Sequence, residues 1–341
     1  MKFLKLLKFW FINTRYHSLA QSFLPALLAA SLAFGHENFS LVLAFLAVVG
    51  VELVHMGMNL FDDYFDYRIQ NTGYRDAMVH EGMRARIAKC PYLTSGKTTL
   101  KTLLAVSMGC CLLALAAGIP IFLERGEPIF WLTLGMGVLG LAYSGWPLRL
   151  SYRGLGELEI GLVFGPLLMS GVYYSSCGEF EPSFLLIAVP VGLLVMNIVY
   201  AHAMMDLEPD KKVGKMTLAV LAGSSNARLI ILALVLTLPY VLVGVGVLSQ
   251  TISGTYLLVL LTFPLAVALY KLMLQFVREP QKPVCRRFWM GPMSRWEVVK
   301  ANGIEWFMVR WYLARNLLLF FCLAIIAAEV IRDLTGIKPI P

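Results

Sequence analysis

The sequence predicts an all-α fold, a polytopic membrane bundle of about nine transmembrane helices. Hydrophobic residues make up 58% of the 341 residues and charged residues only 15%, whereas soluble domains contain about 45–50% apolar residues. Apolar runs of membrane-spanning length recur along the chain, with limits that are soft by several residues. They fall near residues 17–35, 40–61, 99–122, 128–143, 157–175, 183–205, 227–248, 254–276 and 314–331.

The distribution of positive charge sets the predicted orientation. When the runs alternate across a bilayer, 26 of the 29 lysine and arginine residues fall on one side. Cytoplasmic loops carry such an excess, so we predict a cytoplasmic N-terminus, an outer C-terminus and residence in the cytoplasmic (inner) cell membrane. The formal charge of +8 is then a topology signal and an attraction for lipid head groups, not a nucleic-acid-binding face.

The elements follow in order from the N-terminus. Residues 1–16 are basic and amphipathic and lack a following cleavage site, so they predict an interfacial helix rather than a removed signal peptide. The nine runs form one predicted transmembrane domain over residues 1–341. Their outer loops are short, whereas the cytoplasmic connections are longer and are expected to carry function. The last of these, 277–313, is a basic cytoplasmic loop before the final helix.

The second run ends in the acidic stretch GMNLFDDYFDYR, residues 57–68. On a helix, Asn59, Asp62, Asp63 and Asp66 are spaced i, i+3, i+4 and i+7 and share one face. Three like charges at the end of a membrane helix repel one another and are costly to desolvate unless a cation lies between them. Carboxylate and amide oxygens suit Mg²⁺, which also takes phosphate oxygens as ligands. Asp62 is the member of the set that could instead point to water.

A second acidic stretch, MMDLEPDKKVGKMTLAV, follows the sixth run at residues 204–220. Asp206 and Asp210 are spaced i and i+4 on one helix face, whereas Glu208 falls off that face and is predicted to be solvated. The lysines that follow within about one and a half turns are Lys211, Lys212 and Lys215. Carboxylates for a metal beside lysines for phosphate oxygens are what a diphosphate–Mg²⁺ complex requires.

Three segments resemble the UbiA superfamily of intramembrane prenyltransferases. NLFDDYFD is similar to its first aspartate-rich motif, N-x-x-x-D-x-x-D, and DLEPDKKVGKMTLAV is similar to the second, D-x-x-x-D followed by G-K-x-T-L-A. YSGWPLRLSYRGLGELEIGLVFGPLLMSGVYY, residues 143–174, resembles the 1,4-dihydroxy-2-naphthoate polyprenyltransferase branch of the menaquinone pathway. The resemblance covers about residues 12–275 and includes the number of helices.

The resemblance implies Mg²⁺-dependent transfer of a polyprenyl group from an allylic polyprenyl diphosphate to a small aromatic acceptor, with 1,4-dihydroxy-2-naphthoate as the leading candidate. It implies two ions, and the aspartates that hold them carry the predicted catalytic role. The predicted ligands are Asn59, Asp63 and Asp66 for the first ion, with Asp62 as an additional acid, and Asp206 and Asp210 for the second. The polyprenyl tail would lie between helices or in the lipid.

Further residues are expected to bind substrate by the same resemblance. Lys215, together with Lys211, would contact phosphate oxygens. Arg149 and Arg153, in the loop after the fourth helix, would contact diphosphate or an acidic acceptor, or would only anchor the loop at the membrane surface. Tyr143 lies at a helix end where its phenol would face the cavity, although interfacial tyrosines are common.

The sequence departs from the family in two places. The naphthoate branch commonly carries G-P-x-R in the loop after the first motif. Here that loop reads HEGMRARIAKCPYLTSGKTT and has Pro91 but no arginine two residues later. Arg84, Arg86 or Lys89 would replace that arginine, or they would be ordinary loop cations.

The second departure precedes the second motif, where HAMMD replaces the family's Asn-Asn-x-Arg-Asp. His202 stands where an asparagine is expected and Met205 where an arginine is expected. His202 shares the face of Asp206, so it is a candidate to bind acceptor or donor, or else a structural histidine. Glu157, in GLGE, is open in the same way: it has a functional role, or it only complements a helix dipole.

Several alternatives remain at this point. The acceptor could be 4-hydroxybenzoate, a homogentisate-like compound or a non-aromatic lipid. A cation-coupled transporter would need acidic residues at mid-membrane depth, whereas the acidic motifs here end helices on one side. A soluble prenyl diphosphate synthase is disfavoured by the number of spans, and a catalytically silent protein of the same fold by the intact acidic residues. Prenyl chain length and oligomeric state are left open.

Overall fold

The computed structural model describes residues 2–69, 90–212, 214–280 and 282–335, and within them it is helical, with no strand. The α-helices in these ranges are α1 Lys2–Asn13, α2 Ala20–Leu32, α3 Leu41–Ile69, α4 Pro91–Thr94, α5 Leu100–Arg125, α6 Glu127–Ser144, α7 Gly156–Leu162, α8 Leu168–Cys177, α9 Leu185–Met205, α10 Leu207–Lys212, α11 Leu218–Leu221, α12 Ser225–Leu248, α13 Phe263–Arg278, α14 Trp296–Ala301 and α15 Glu305–Thr335. A π-helical segment, Val163–Leu167, joins α7 to α8, and a 3₁₀ segment, Gly254–Thr262, precedes α13.

Among the described residues, six helical segments are long and apolar enough to cross a membrane. They are Leu41–Arg68, Leu100–Arg125, Gly156–Cys177, Pro182–Met205, Ser225–Leu248 and Gly254–Arg278, and they coincide with six of the predicted runs. The other three runs fall on α2, α6 and α15. With 13 residues, α2 is about 20 Å long, which is shorter than the hydrocarbon core of a bilayer. The number of nine spans therefore stays a prediction.

The chain divides into two compact units. One unit comprises Met1–Tyr152 with Leu167–Glu179, and the other comprises Arg153–Pro166 with Phe180–Pro341. The prediction of a single domain over residues 1–341 is not tested by this division.

In the first unit, the close packing of α3 against α5 fixes the acidic end of α3. Gly57 permits this approach, because a Cβ there would lie 2.9 Å from Cys111 Sγ and 3.1 Å from the Ser107 carbonyl oxygen. The Ser107 hydroxyl also donates a hydrogen bond to the Gly57 carbonyl oxygen at 2.7 Å. The first residue of the acidic stretch is thus a contact point between two helices.

In the second unit, α9 is buried on most of its surface and packs against α7, α12 and α15. Glycines allow its backbone to approach α7 and the π-helical segment. A Cβ on Gly165 would lie 2.4 Å from Gly192 Cα, and one on Gly192 would lie 2.3 Å from the Gly161 carbonyl oxygen. This crossing holds the start of α7 beside the end of α9, where the second acidic motif begins.

The two predicted surface segments contain helices. The residues of α1 expose Leu4, Leu7 and Phe11, which fits the predicted interfacial helix. In the predicted loop 277–313, α15 begins at Glu305, so the last part of that loop is helical. Its side chains hold the preceding segment, since the Asn316 amide donates to the Met290 carbonyl oxygen at 2.7 Å.

Candidate active site

The acidic residues at the end of α3 lie on one helix face, as their spacing predicts. Asp63 and Asp66 are buried, with 3% and 1% of their surface exposed, while Asn59 and Asp62 are partly buried. The Asn59 amide nitrogen donates to the Thr14 carbonyl oxygen at 2.9 Å and to the Ser18 hydroxyl oxygen at 3.1 Å, which fixes the amide orientation. All of these residues belong to the first unit.

Arg15 supplies the positive charge between two of these aspartates. Its Nη2 donates to Asp62 Oδ2 at 2.7 Å and forms a short hydrogen bond with Asp63 Oδ1. Burial by itself lowers the pKa of the Arg15 guanidinium, but the charges of Asp63 and Asp62 outweigh it and hold that pKa well above its usual value. The backbone of Arg15 adopts a left-handed conformation with φ 60°, which is uncommon for a residue other than glycine.

Neutral donors orient the same carboxylates. The Tyr92 hydroxyl donates to Asp63 Oδ2 at 2.7 Å, and the Ser144 hydroxyl donates to Asp62 Oδ1 at 2.6 Å. The Tyr152 hydroxyl donates to Asp66 Oδ1 at 2.5 Å. Burial, followed by the Asp63 charge, raises the pKa of Tyr92 well above its usual range, so the phenol remains a donor.

This arrangement fits a divalent cation. In the structure a guanidinium bonds both Asp62 and Asp63, so positive charge is accommodated between these carboxylates. Asp66 and the Asn59 amide add further oxygens on the same helix face. Hydroxyl donors that hold ligand carboxylates in one orientation are typical of metal sites.

The second acidic cluster lies where α9 meets α10. Asp206 directly follows the last residue of α9 and Asp210 lies on α10, and the Asp210 N–H donates to the Asp206 carbonyl oxygen at 2.9 Å. Both side chains are buried, at 3% and 6% exposure. His202 Nε2 lies 3.3 Å from Asp206 Oδ2, and its ring contacts the Phe307 ring edge-on with centroids 5.0 Å apart. The predicted shared face of His202 and Asp206 is thus a direct contact, all within the second unit.

The lysines after this cluster have different surroundings. The Lys215 N–H donates to the Asp210 carbonyl oxygen at 2.9 Å, across a turn in which Gly214 has a left-handed φ of 71°. Lys211 instead pairs with Glu208 at 3.1 Å, and both side chains are exposed. The backbone therefore ties Lys215 to the acidic cluster, whereas Lys211 lies in an exposed pair.

Glu157 positions the segment that carries Lys215. Its buried carboxylate accepts the Leu218 N–H, with Oε1 and Oε2 at 3.0 and 3.2 Å. A parallel bridge pairs the backbone of Arg153 with Met216 in the same segment. The sequence allowed two interpretations of Glu157, a helix-dipole effect and a functional role. In the structure Glu157 contacts the second motif through the Leu218 N–H.

The remaining predicted residues are less informative. Arg149 is partly buried and has a left-handed φ of 47°, and Arg153 is exposed. Tyr143 is partly buried, next to Ser144. Arg84, with Arg86 and Lys89, lies outside the described residues.

Sequence reasoning missed the partners of the first cluster, which are Arg15, Tyr92, Ser144 and Tyr152. Arg15 was treated only as a topology charge, although it is the last basic residue before the first apolar run. Tyr152 lies next to Arg153, in the loop that resembles the family, and this position could have marked Tyr152 as a candidate site residue.

Buried carboxylates that accept hydrogen bonds from a guanidinium and from hydroxyl groups, in a chain with several helices of membrane-spanning length, fit a membrane protein that binds a cation at a helix end. The chain belongs to the UbiA prenyltransferase family, whose sequence pattern matches residues 22–297. The predicted family and fold class are thereby confirmed, and the protein is a prenyltransferase and a multi-pass membrane protein.

Among its relatives, the 1,4-dihydroxy-2-naphthoate octaprenyltransferase of Bacillus subtilis is 28% identical over 260 residues, which cover 74% of this chain and 77% of the relative. UbiA prenyltransferase domain-containing protein 1 of Danio rerio is 29% identical over 281 residues, covering 80% and 79% of the two chains. A UbiA homolog from Archaeoglobus fulgidus, solved with GPP and Mg²⁺, has a TM-score of 0.55 at 18% identity and aligns over 93% of this chain and 99% of its own. That likeness shows the fold.

Proposed function

We propose that this prenyltransferase uses Mg²⁺ to transfer a polyprenyl group from an allylic polyprenyl diphosphate to a small aromatic acceptor, and that the acceptor is 1,4-dihydroxy-2-naphthoate. The observation that carries the proposal is the first acidic cluster, in which buried carboxylates are held around a positive charge. The Bacillus subtilis relative, which acts on that naphthoate by its name, supports the choice of acceptor. The product of the reaction proposed for this chain would belong to menaquinone biosynthesis.

The proposed metal ligands are the residues whose chemistry fits. Asn59, Asp63 and Asp66 would hold one ion with Asp62 beside them, and Asp206 and Asp210 would hold a second. When bound at these residues, Mg²⁺ would supply the positive charge that stabilises a diphosphate leaving group.

The chain's own residues prepare the site. Tyr92 and Tyr152 fix the orientation of the carboxylates of Asp63 and Asp66 by donating to them. Arg15 and Lys215 add fixed positive charge for phosphate oxygens, and Glu157 holds the segment of Lys215 in place. Apolar helices provide the water-poor surroundings that an allylic cation needs.

The orientation is part of the proposal. An N-terminus in the cytoplasm and a C-terminus outside, in the cytoplasmic membrane, would place both acidic motifs on the side of the water-soluble diphosphate. Both acidic motifs lie at helix ends, and the match to the UbiA prenyltransferase family supports this function over a cation-coupled transporter.

The test uses membranes containing this protein, Mg²⁺ and a labelled allylic polyprenyl diphosphate. Parallel reactions contain 1,4-dihydroxy-2-naphthoate, 4-hydroxybenzoate, homogentisate or no acceptor, with membranes of an Asp63→Ala variant as background. We expect a prenylated product with the naphthoate alone. Transfer only to another acceptor would refute the naphthoate assignment, and the absence of transfer to every aromatic acceptor would refute the proposed function.

A further inference from the structure

Two ionisable residues lie deeper on the helix that carries the first acidic cluster. Glu52 and His55 precede Asn59 on α3 by seven and four residues, so all three lie on one face of the helix. Glu52 lies about 10 Å along the helix axis from Asn59, near the middle of the candidate span Leu41–Arg68. None of the roles assigned above uses these two side chains.

A serine on the neighbouring helix α2 joins them. The Ser22 hydroxyl oxygen lies 2.6 Å from Glu52 Oε1 and 2.7 Å from His55 Nδ1. Ser22 is fully buried and His55 is 9% exposed. All three residues belong to the first unit, in which α2 contacts α3, and the burial of Ser22 and His55 places these contacts between the two helices, with Glu52 partly buried.

The hydrogen bonds have a defined direction when Glu52 is ionised. A serine hydroxyl carries one proton, and a carboxylate can only accept. Ser22 has two acceptors within reach, Glu52 Oε1 at 2.6 Å and the Leu19 carbonyl oxygen at 2.9 Å, and the ionised carboxylate is both the nearer and the stronger one. With the hydroxyl proton directed to Glu52, His55 Nδ1 carries a proton and donates to the Ser22 oxygen. His55 thus fixes the orientation of the Ser22 hydroxyl, and Ser22 fixes the orientation of the Glu52 carboxylate, which can act as a base.

The free-energy cost of placing a carboxyl group inside a membrane indicates a functional role for Glu52. An ionisable residue in the middle of a membrane helix is costly and typically marks a functional site. Within the described residues, no lysine or arginine forms an ion pair with Glu52. A glutamine could accept the Ser22 hydrogen bond equally well, so packing alone does not require a carboxylate here.

We propose that Glu52, oriented by Ser22 and His55, binds the hydroxyl group of the aromatic acceptor and takes its proton during transfer. This inference rests on the proposed function, because it assigns the acceptor site of the same reaction. The chemical class that fits is a hydroxyl-bearing aromatic compound, whose O–H donates to the carboxylate while its ring reaches toward the level of Asn59.

The proton transfer balances. As the allylic C–O bond breaks, its electron pair leaves with the diphosphate. Ring electrons of the acceptor form the new C–C bond while the hydroxyl proton passes to Glu52, which leaves a ketone. When the ring C–H proton is lost to the diphosphate, Glu52 returns its proton to the oxygen and the aromatic hydroxyl is restored.

The experiment compares Glu52→Gln with the unmodified protein, with steady-state rates measured against acceptor and donor separately. Glutamine keeps the shape and the Ser22 contact but cannot take a proton. We expect kcat/KM for the acceptor to fall about 100-fold or more, while Mg²⁺-dependent binding of labelled polyprenyl diphosphate to the membranes stays within about twofold, since a factor of two is only about 0.4 kcal/mol. Glu159→Gln is the matched control, because Glu159 is a buried carboxyl that lies in the first turn of another candidate span, Gly156–Cys177, rather than in its middle, and it should retain activity.

Two further variants test the orienting pair. Ser22→Ala and His55→Ala should lower kcat/KM for the acceptor without changing donor binding, and His55→Asn, which keeps an N–H donor, should restore part of the loss. Unchanged acceptor kinetics in Glu52→Gln, or an equal loss of donor binding, would overturn the proposal. If Glu52→Gln fails to accumulate, the same comparison in Ser22→Ala decides. Absence of aromatic transfer by the unmodified protein would instead refute the proposed function.

Discussion

Replacement of Arg15 by alanine gives the most specific stability prediction. The substitution removes the guanidinium that bonds Asp62 at 2.7 Å and also bonds Asp63, and it leaves two neighbouring carboxylates without that cation. Loss of one partner from a buried ion pair destabilises a protein by about 3–5 kcal/mol. The remaining bonds from Tyr92 and Ser144 and the 22% exposure of the Arg15 side chain reduce this, so we expect about 2–3 kcal/mol without divalent metal.

The assay is thermal unfolding in detergent, once with chelator and once with millimolar Mg²⁺. With chelator, Arg15→Ala should unfold about 4–8 °C below the unmodified protein. With Mg²⁺ most of this difference should disappear, because a divalent ion supplies the charge that the guanidinium supplied. Arg15→Lys, which keeps one positive charge but not the planar fork, should lie between the two.

Arg125→Ala is the matched control. Arg125 belongs to the same unit but bonds backbone carbonyl oxygens, those of Asn38 at 2.8 Å and Ser175 at 3.1 Å. Its loss should destabilise the protein to the same extent with and without Mg²⁺. An Arg15→Ala protein as stable in chelator as the unmodified protein, or one whose response to Mg²⁺ equals that of Arg125→Ala, would refute the reasoning.

The other predictions concern the metal ligands and their neighbours. Asp63→Ala or Asp210→Ala should abolish prenyl transfer while the protein still inserts, as judged by membrane fractionation, and EDTA should do the same; full activity in either variant or in EDTA would contradict the metal assignment. Tyr92→Phe removes a hydrogen bond to a carboxylate and should lower the free energy of unfolding by about 1.5–3 kcal/mol in the thermal assay; an unchanged melting temperature would contradict it. Lys215→Ala should raise KM for the donor about tenfold, or about 1.4 kcal/mol, whereas Lys211→Ala, which loses only an exposed pair with Glu208, should stay near normal; equal effects in steady-state kinetics would contradict the distinction.

The acidic residues could be predicted from the sequence because their signal is local. Asp63 and Asp66 follow helical spacing, and the same spacing places them on one face in the structure. The partners of these residues could not be predicted in this way. Arg15 is 48 residues from Asp63 and Tyr152 is 86 residues from Asp66, and only packing between helices brings them together.

Glu157 and Lys211 show the same limit in the second unit. From sequence alone, each residue suits either a role in the site or an ordinary structural role, and only its contacts in the structure distinguish these two roles. Glu157 meets the Leu218 N–H across 61 residues, so it supports the second motif. Lys211 finds Glu208 three residues away, so local pairing accounts for its contact.

The most direct test of the central claim counts metal ions. Mn²⁺ bound to the purified protein would be measured by electron paramagnetic resonance with an unreactive polyprenyl diphosphate analogue present. The account predicts that the unmodified protein binds two ions per chain. The Asp63→Ala/Asp66→Ala double variant should bind one ion, and the Asp206→Ala/Asp210→Ala double variant should also bind one ion. An unmodified protein that binds no Mn²⁺, or double variants that keep both ions, would contradict it.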